Sequence, residues 1–305
     1  TILPISRELL ETPEGNYLLF ATKLGLIKKT RLEEYVKINR NGKYALRFKL
    51  DGDSLVNVRC GTDNSDIVMI SSTGFASRFA CQKIRSSGRV SAGVYGIKTG
   101  NRKGADGGHV VGMIATNNTE TQILTISKNG MAKRSRLGTA DKIPYLDAEG
   151  VQKVDKETGD LMERTDGYRK TNPGAKGAFT MNINKEDNDE IIAARHIPDL
   201  DDNLFVLTKK GMMIRLRANQ TKETKSKKSK GTRIMELRNK GKSGFSDEII
   251  FVARLPAELI DDEDDSFDED NVKIKIWKTD DIIIEEKNRI INSKIPLKIL
   301  VTIKY

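Results

Sequence analysis

One short phrase occurs four times in this chain: LGLIKKTRL from Leu24, TGFASRFAC from Thr73, NGMAKRSRL from Asn129 and KGMMIRLRA from Lys210. Aligned on Gly25, Gly74, Gly130 and Gly211, each copy carries a hydroxyl three residues before the glycine, at Thr22, Ser71, Ser127 and Thr208. Each carries a base four residues after it, at Lys29, Arg78, Arg134 and Arg215. The apolar runs YLLFA, IVMI, QILTI and NLFVL precede the hydroxyls. Runs this short, rich in Ile, Val, Leu and Phe, read as strands buried on both faces. The glycine supplies the positive φ of a tight hairpin turn, and Asn129-Gly130 and Lys210-Gly211 suit such a turn.

Each hairpin is followed by a second glycine that opens a third strand: GKYALRFKL from Gly42, GVYGIKT from Gly93, GAFTMNI from Gly177 and GTRIMELR from Gly231. The closing strands are SLVNVR, HVVGMIA, EIIAARHI and EIIFVARL. Four-stranded units recurring in this way predict an all-β, propeller-like fold of about four complete blades plus partial ones. The blades are expected at about 16–62, 63–118, 119–199 and 200–257, with residues 1–15 the remnant of a preceding blade. The first glycines are 49, 56 and 81 residues apart, the last interval being stretched by a polar insertion, 138–168, that reads as a surface loop. Residues 258–271 read as an acidic linker. Residues 272–305 are unassigned, although their alternating stretches could cover an open sheet edge.

The chain of 305 residues carries a net charge of +10, unevenly spread. Residues 258–270 hold nine acids and no base, leaving the other 292 residues at +19. A body that basic points to a polyanionic partner. Two cysteines and two histidines are too few and too scattered for a disulfide framework or a zinc site, so no metal is expected. No apolar run reaches the ~20 residues of a membrane span. The N-terminus shows no signal-peptide pattern, and the lack of an initiator Met suggests a fragment. No nucleophile constellation is visible, and the pairs Glu33-Glu34 and Asp201-Asp202 read as solvated turn residues, so the chain is not expected to be an enzyme by itself.

Because blades pack face to face, a base at a fixed place in every blade is expected to escape at the outer rim. The first belt comprises Lys28, Lys29, Arg31, Arg78, Lys133, Arg134, Arg136, Arg215 and Arg217. A second group lies in the loops before the second glycines: Arg40, Lys43, Lys83, Arg85, Arg89, Arg169, Lys170, Lys176, Lys222, Lys225, Lys227, Lys228 and Lys230. Such a belt suits the phosphates of bent duplex DNA, which it would position against without reading bases. Aromatic residues are 6% of the chain and fall mostly on apolar strand positions, so stacking on single strands is less supported. An interaction propeller meeting acidic proteins is the competing reading.

The stretch ATKLGLIKKTRLEEYVKINRNGKYALRFKLDGDSLVNV (21–58) resembles a blade of the C-terminal domain of the DNA gyrase A subunit, and the blades beginning near Asp66, Gln122 and Asn203 are similar. The related subunit of topoisomerase IV shares the fold and is the close alternative. The resemblance covers roughly residues 1–257. It implies a β-pinwheel that wraps duplex DNA around a basic rim, as the non-catalytic module of an ATP-dependent type IIA topoisomerase that introduces negative supercoils. It implies Lys28, Lys29, Arg78, Lys133, Arg134 and Arg215 as rim bases. The implied partners are DNA, the rest of the gyrase A subunit, and the gyrase B subunit in an A2B2 assembly. No membrane is implied, the setting being the bacterial cytoplasm and nucleoid. ATP and magnesium would act elsewhere in the holoenzyme, with no cofactor in this chain. The family's glycine-rich basic box has no match, KKSKGTR at 227–233 being only superficially alike.

Overall fold

A computed structural model describes residues 2–38, 41–99, 108–184, 186–237, 244–259 and 298–300. The architecture is all-β, as expected. In chain order the strands are β1 (Ile2–Pro4), β2 (Asn16–Thr22), β3 (Leu26–Arg31), β4 (Leu55–Thr62), β5 (Asp66–Ser71) and β6 (Phe75–Ala80). Next come β7 (Val94–Tyr95), β8 (Val110–Thr116), β9 (Gln122–Ser127), β10 (Met131–Arg136), β11 (Lys142–Pro144) and β12 (Glu163–Thr165). The series ends with β13 (Ala178–Phe179), β14 (Ile191–Ile197), β15 (Asn203–Thr208), β16 (Met213–Arg217), β17 (Thr232–Arg233), β18 (Ile249–Leu255) and β19 (Lys298–Leu300). Two short helices, α1 (Arg7–Glu11) and α2 (Glu33–Val36), lie in the first unit. No helix of the described residues is long and apolar enough to cross a membrane.

The repeated hydroxyl and glycine build the hairpin turn. Gly25, Gly74, Gly130 and Gly211 all have φ of 88–90°. The hydroxyl oxygen accepts the N–H of the residue after the glycine: Leu26 to Thr22 at 3.1 Å, Phe75 to Ser71 at 3.2 Å, Met131 to Ser127 at 3.3 Å and Met212 to Thr208 at 3.1 Å. The turn therefore satisfies its own backbone, which lets it be buried.

The third strand departs from expectation. It does not join its own hairpin but crosses to the blade before it. The sheets run β4-β2-β3-β7, β8-β5-β6-β13 and β14-β9-β10-β17, while the fourth, β18-β15-β16, has three strands. The register is the same each time: Leu26 faces Tyr95, Phe75 faces Phe179, and Met131 faces Arg233. The cause is legible in the second glycine. Its φ is +81 to +85° at Gly93, Gly177 and Gly231, and a Cβ there would stand 2.0–2.3 Å from a carbonyl oxygen of the preceding blade (Ile27, Ala76 and Ala132). Only glycine admits that approach. In the first unit, residues 43–50 form no strand.

Alternate residues of the inner strands line successive interblade cores, which explains the continuous apolar runs. Leu19, Ala21 and Ile27 pack with Ile67, Met69 and Phe79; Val68 and Ile70 with Ile123 and Ala194; Leu124 and Ile126 with Leu204 and Val206. Leu18 and Phe20, on the outer face of the first blade, are covered by Ile5, Leu9 and Leu10.

The insertion 138–168 is a β-ribbon rather than a plain loop. Strands β11 and β12 pair at its base, and bridges join Leu146 to Gln152 and Val154 to Leu161. Strand β1 pairs with β19, with Leu3 opposite Ile299. Beyond Leu259, the expected acidic linker and the rest of the segment after it otherwise lie outside the described residues.

Candidate nucleic-acid interface

The bases four residues after the hairpin glycines do not reach the rim. Lys28, Lys29, Arg78, Lys133 and Arg134 are only 0–6% exposed. Their strands lie between two blades, so each head group ends in a cage rather than in solvent. Arg78 is ion-paired with Asp66 and donates to the carbonyls of Leu137 (3.0 Å), Gly138 (2.8 Å) and Tyr168 (2.9 Å). Lys29 is ion-paired with Asp63, lies 4.0 Å above the Tyr17 ring and points at the Cys81 carbonyl at 3.4 Å. Arg134 donates to Gln122 and to the carbonyls of Thr221 (2.6 Å) and Asn219 (3.5 Å).

A rule emerges from these contacts. Each base binds a side chain eight residues before its own hairpin glycine (Tyr17, Asp66 or Gln122). It also binds carbonyls just beyond the second strand of the next blade (Cys81, Leu137 and Gly138, or Asn219 and Thr221). Arg215, half-buried on β16, makes the first of these contacts, with Asn203 at 2.8 Å. The recurrent base is an interblade clasp, and the expectation of a solvent-facing belt at Lys28, Lys29, Arg78, Lys133 and Arg134 is corrected. Asp202 is likewise not a solvated turn residue: it is 1% exposed and ion-paired with Arg254.

Lys28 and Lys133, one residue nearer the glycine, are held by backbone carbonyls. Lys133 Nζ donates to Thr180 and Ser226, both at 2.7 Å, and Lys28 Nζ to Ala45 at 2.6 Å and to Arg89. Burial pushes both amines down to about 8. A lysine depressed in the folded state contributes most stability above its unfolded pKa of about 10.5 and loses that contribution as pH falls through about 8. The wild-type chain is therefore expected to gain stability, relative to a Lys28→Met/Lys133→Met chain, as pH rises from 7.5 to 10 in urea unfolding.

The exposed bases follow a different register. Six residues after the hairpin glycines stand Arg31, Arg136 and Arg217, all exposed at the ends of β3, β10 and β16. In the loops before the exchanged strands, Lys83, Arg85, Arg169, Lys170, Lys222, Lys225, Lys228 and Lys230 are exposed, and Arg89, Lys176 and Lys227 are half-buried. Some are engaged at the surface: Arg136 with Glu120, Lys83 with Asn172, Lys170 with Asp66, and Lys176 above the Phe75 ring. A cleft between β3 and the following loop is lined by Arg85, Ser86, Ser87 and Gly88 as well as by the stems of Lys28 and Lys29. Sequence reasoning passed over Arg59, Arg195 and Arg254, on the innermost strands; burial lowers Arg195 to about 10, and the charge of Arg59 adds to this. Among the described residues, no group of three or more His, Cys, Asp or Glu could hold a metal ion.

Comparison with known proteins agrees with this fold. A family model described as "DNA gyrase C-terminal domain, beta-propeller" matches residues 16–61, 65–117, 121–141 and 202–242, over half of the chain. The A subunit of DNA gyrase from Staphylococcus epidermidis is 32% identical over 225 residues, covering 73% of this chain and 21% of that protein. The A subunit of DNA gyrase from Staphylococcus aureus is 29% identical over 261 residues, covering 85% of this chain and 25% of that protein. The chain thus spans about a fifth to a quarter of the length of these relatives. Among solved structures, the C-terminal domain of DNA topoisomerase IV superposes with a TM-score of 0.61 at 19% identity, covering 80% of this chain and 63% of that one. The DNA gyrase A C-terminal domain gives 0.56 at 18%, covering 80% and 67%. With hairpins, exchanged strands and family match in agreement, the chain belongs to the DNA gyrase C-terminal domain, beta-propeller family.

Proposed function

We propose that the chain binds duplex DNA along its exposed basic edge and bends it, as the non-catalytic C-terminal module of a type IIA topoisomerase of the gyrase type. The observation that carries this reading is the recurrence of exposed arginines at one register, Arg31, Arg136 and Arg217, beside exchange loops that present Lys83 and Arg85, Arg169 and Lys170, and Lys222 to Lys230. Spread over successive blades, these bases meet phosphates along a path rather than at a point. Bending a short site by 40–90° costs on the order of 1–6 kcal/mol, and a dozen phosphate contacts can offset it. The family match supports placing the module with the rest of the gyrase A subunit, together with the gyrase B subunit, in the bacterial cytoplasm at the nucleoid. ATP and magnesium chemistry then belongs to other parts of that assembly.

A four-site charge reversal, Arg31→Glu, Arg85→Glu, Arg136→Glu and Arg217→Glu, tests it. Each phosphate contact adds about 0.9 to the slope of log K against log salt, so the slope is expected to flatten by about 3 to 4. Affinity for a linear duplex at 100 mM salt is expected to fall roughly 100-fold or more. An unchanged slope would overturn the reading, and tight capture of an acidic protein without DNA binding would favour an interaction propeller.

A further inference from the structure

At the inner end of each sheet, farthest from the exchanged strand, stand β4, β8, β14 and β18; β8 touches β4 and β14, and β14 touches β18. Three of these strands carry Arg59, Arg195 and Arg254, which belong neither to the interblade clasps nor to the exposed basic edge. Arg59 and Arg195 occupy one station: each faces the residue six before its hairpin glycine, Leu19 or Leu124. The second and fourth blades place Ile114 and Ala253 at that station, opposite Val68 and Phe205. The blade therefore folds without an arginine there, and the two arginines call for another reason.

Both arginines fold back in the same way. Arg59 Nη1 donates to the carbonyl of its own neighbour Val58 at 3.1 Å, and Arg195 Nη1 to that of Ala194 at 3.0 Å. Arg195 also reaches the fourth blade, where Nε donates to the Val252 carbonyl at 3.0 Å and Nη2 donates to the same oxygen. Arg254 follows two residues later on that strand, and its Nη1 is ion-paired with Asp202 at 2.6 Å. His196 is its counterpart in the third blade. Each faces the residue seven before the hairpin glycine, Ile123 or Leu204, and bonds the side chain nine before it, Thr121 at 2.7 Å or Asp202. All four side chains are half-buried and keep a face to solvent.

These groups lie close enough to act on one another. Burial and the charge of Arg254 lower Arg59, as burial and the charge of Arg59 lower Arg195. Burial, with the charges of Arg254 and Arg59, pushes His196 down to about 4, so its ring is neutral near pH 7. Among the described residues the group then sums three guanidiniums and the Asp202 carboxylate, two positive charges. Like charges gathered where water is partly excluded repel one another, and an anion seated among them reverses that cost.

We infer that the inner ends of β4, β14 and β18 form a seat for one doubly charged phosphate group, held jointly by Arg59, Arg195 and Arg254. Guanidinium forks match phosphate oxygens in pairs, and the charges balance. Such an anion ties the first blade to the third and fourth through their innermost strands. It does so on the opposite side of each sheet from the exchange loops that present the exposed bases. A half-buried seat admits one small anion, whereas the exposed edge offers a duplex a row of phosphate contacts, so free phosphate is the ligand.

Thermal unfolding of the full chain in inorganic phosphate, against chloride at equal ionic strength, tests it. Phosphate also stabilises folded chains as an excluded salt, so the informative quantity is the difference between two chains. The wild-type midpoint is expected to rise about 5 °C more in phosphate than that of an Arg59→Gln chain. Titration calorimetry is expected to count one phosphate per wild-type chain and none for Arg59→Gln. The chain with Arg31, Arg85, Arg136 and Arg217 all changed to Glu should keep the phosphate response. Arg59→Gln should in turn keep the salt slope of DNA binding, so the two sites stand or fall separately. Equal phosphate responses in the wild-type and Arg59→Gln chains overturn the proposal. So does loss of the response in the four-site chain, which would place the phosphate on the exposed edge instead.

Discussion

Replacing Arg78 with Met is expected to lower stability by about 3–5 kcal/mol, the cost of breaking a buried ion pair while leaving its partner groups behind. The guanidinium serves Asp66 and three carbonyls at once, those of Leu137 and Gly138 at one end of the 138–168 ribbon and that of the buried Tyr168 at the other. Their desolvation remains when the arginine goes, while Lys170 keeps one oxygen of Asp66 paired at 3.1 Å. At roughly 2–4 °C per kcal/mol for a chain of this size, the unfolding midpoint should drop by about 10 °C. Arg78→Lys should recover only part of it, because an ammonium cannot reproduce the planar fork. Where the variant is still folded, the salt dependence of DNA binding should be unchanged. A flattened slope with intact stability would return Arg78 to the binding surface.

A second large effect is expected at Gly177. Its φ is +85°, and a Cβ would lie 2.0 Å from the Ala76 oxygen and 2.5 Å from its carbonyl carbon. Gly177→Val therefore combines backbone strain with a backbone clash, about 4 kcal/mol together. It should detach β13 from β6, raising amide exchange at Ala76 and at Thr180, whose N–H bonds the Gly74 carbonyl. Gly42→Val supplies the comparison: φ is +71° but no described atom lies nearby, so only the strain, about 1–2 kcal/mol, is expected. Equal losses at the two positions, measured by urea unfolding, would show that the exchange contact contributes little.

The hairpins, the glycines and the four-unit periodicity were legible because each is a local property. Gly130 needs positive φ for its own turn, and the Ser127 hydroxyl serves the same turn. What sequence did not disclose was partnership. Ala178 and Phe179 read equally well as a third strand of their own blade or of the one before, since a two-residue strand carries no periodicity. The bases failed for a related reason. Arg134 and Arg136 stand two apart on one strand and carry the same charge, yet one is 6% exposed and the other solvent-facing. The difference lies in where β10 leaves the interblade core, and spacing alone does not mark that point. Recurrence was read as a shared outward role, whereas here a recurrent base marks a recurrent inward one. Arg31, Arg136 and Arg217 stood in the predicted belt beside bases that turn inward; in the structure these three carry the outward register.

The exchanged strands also set an order of events for a chain made from its N-terminus. The hairpin of the first blade is complete at Arg31, but its fourth strand is Val94–Tyr95. The second blade's hairpin ends at Ala80 and waits for Ala178–Phe179, with the whole ribbon to be synthesised in between. Each of the first three blades thus stands with a bare edge until more than half of the next unit has emerged, the state in which strands most readily pair with the wrong partner. The unit that a gene duplication would copy, glycine to glycine, is out of phase with the unit that folds. An added repeat would arrive already owing one strand to its predecessor and awaiting one from its successor.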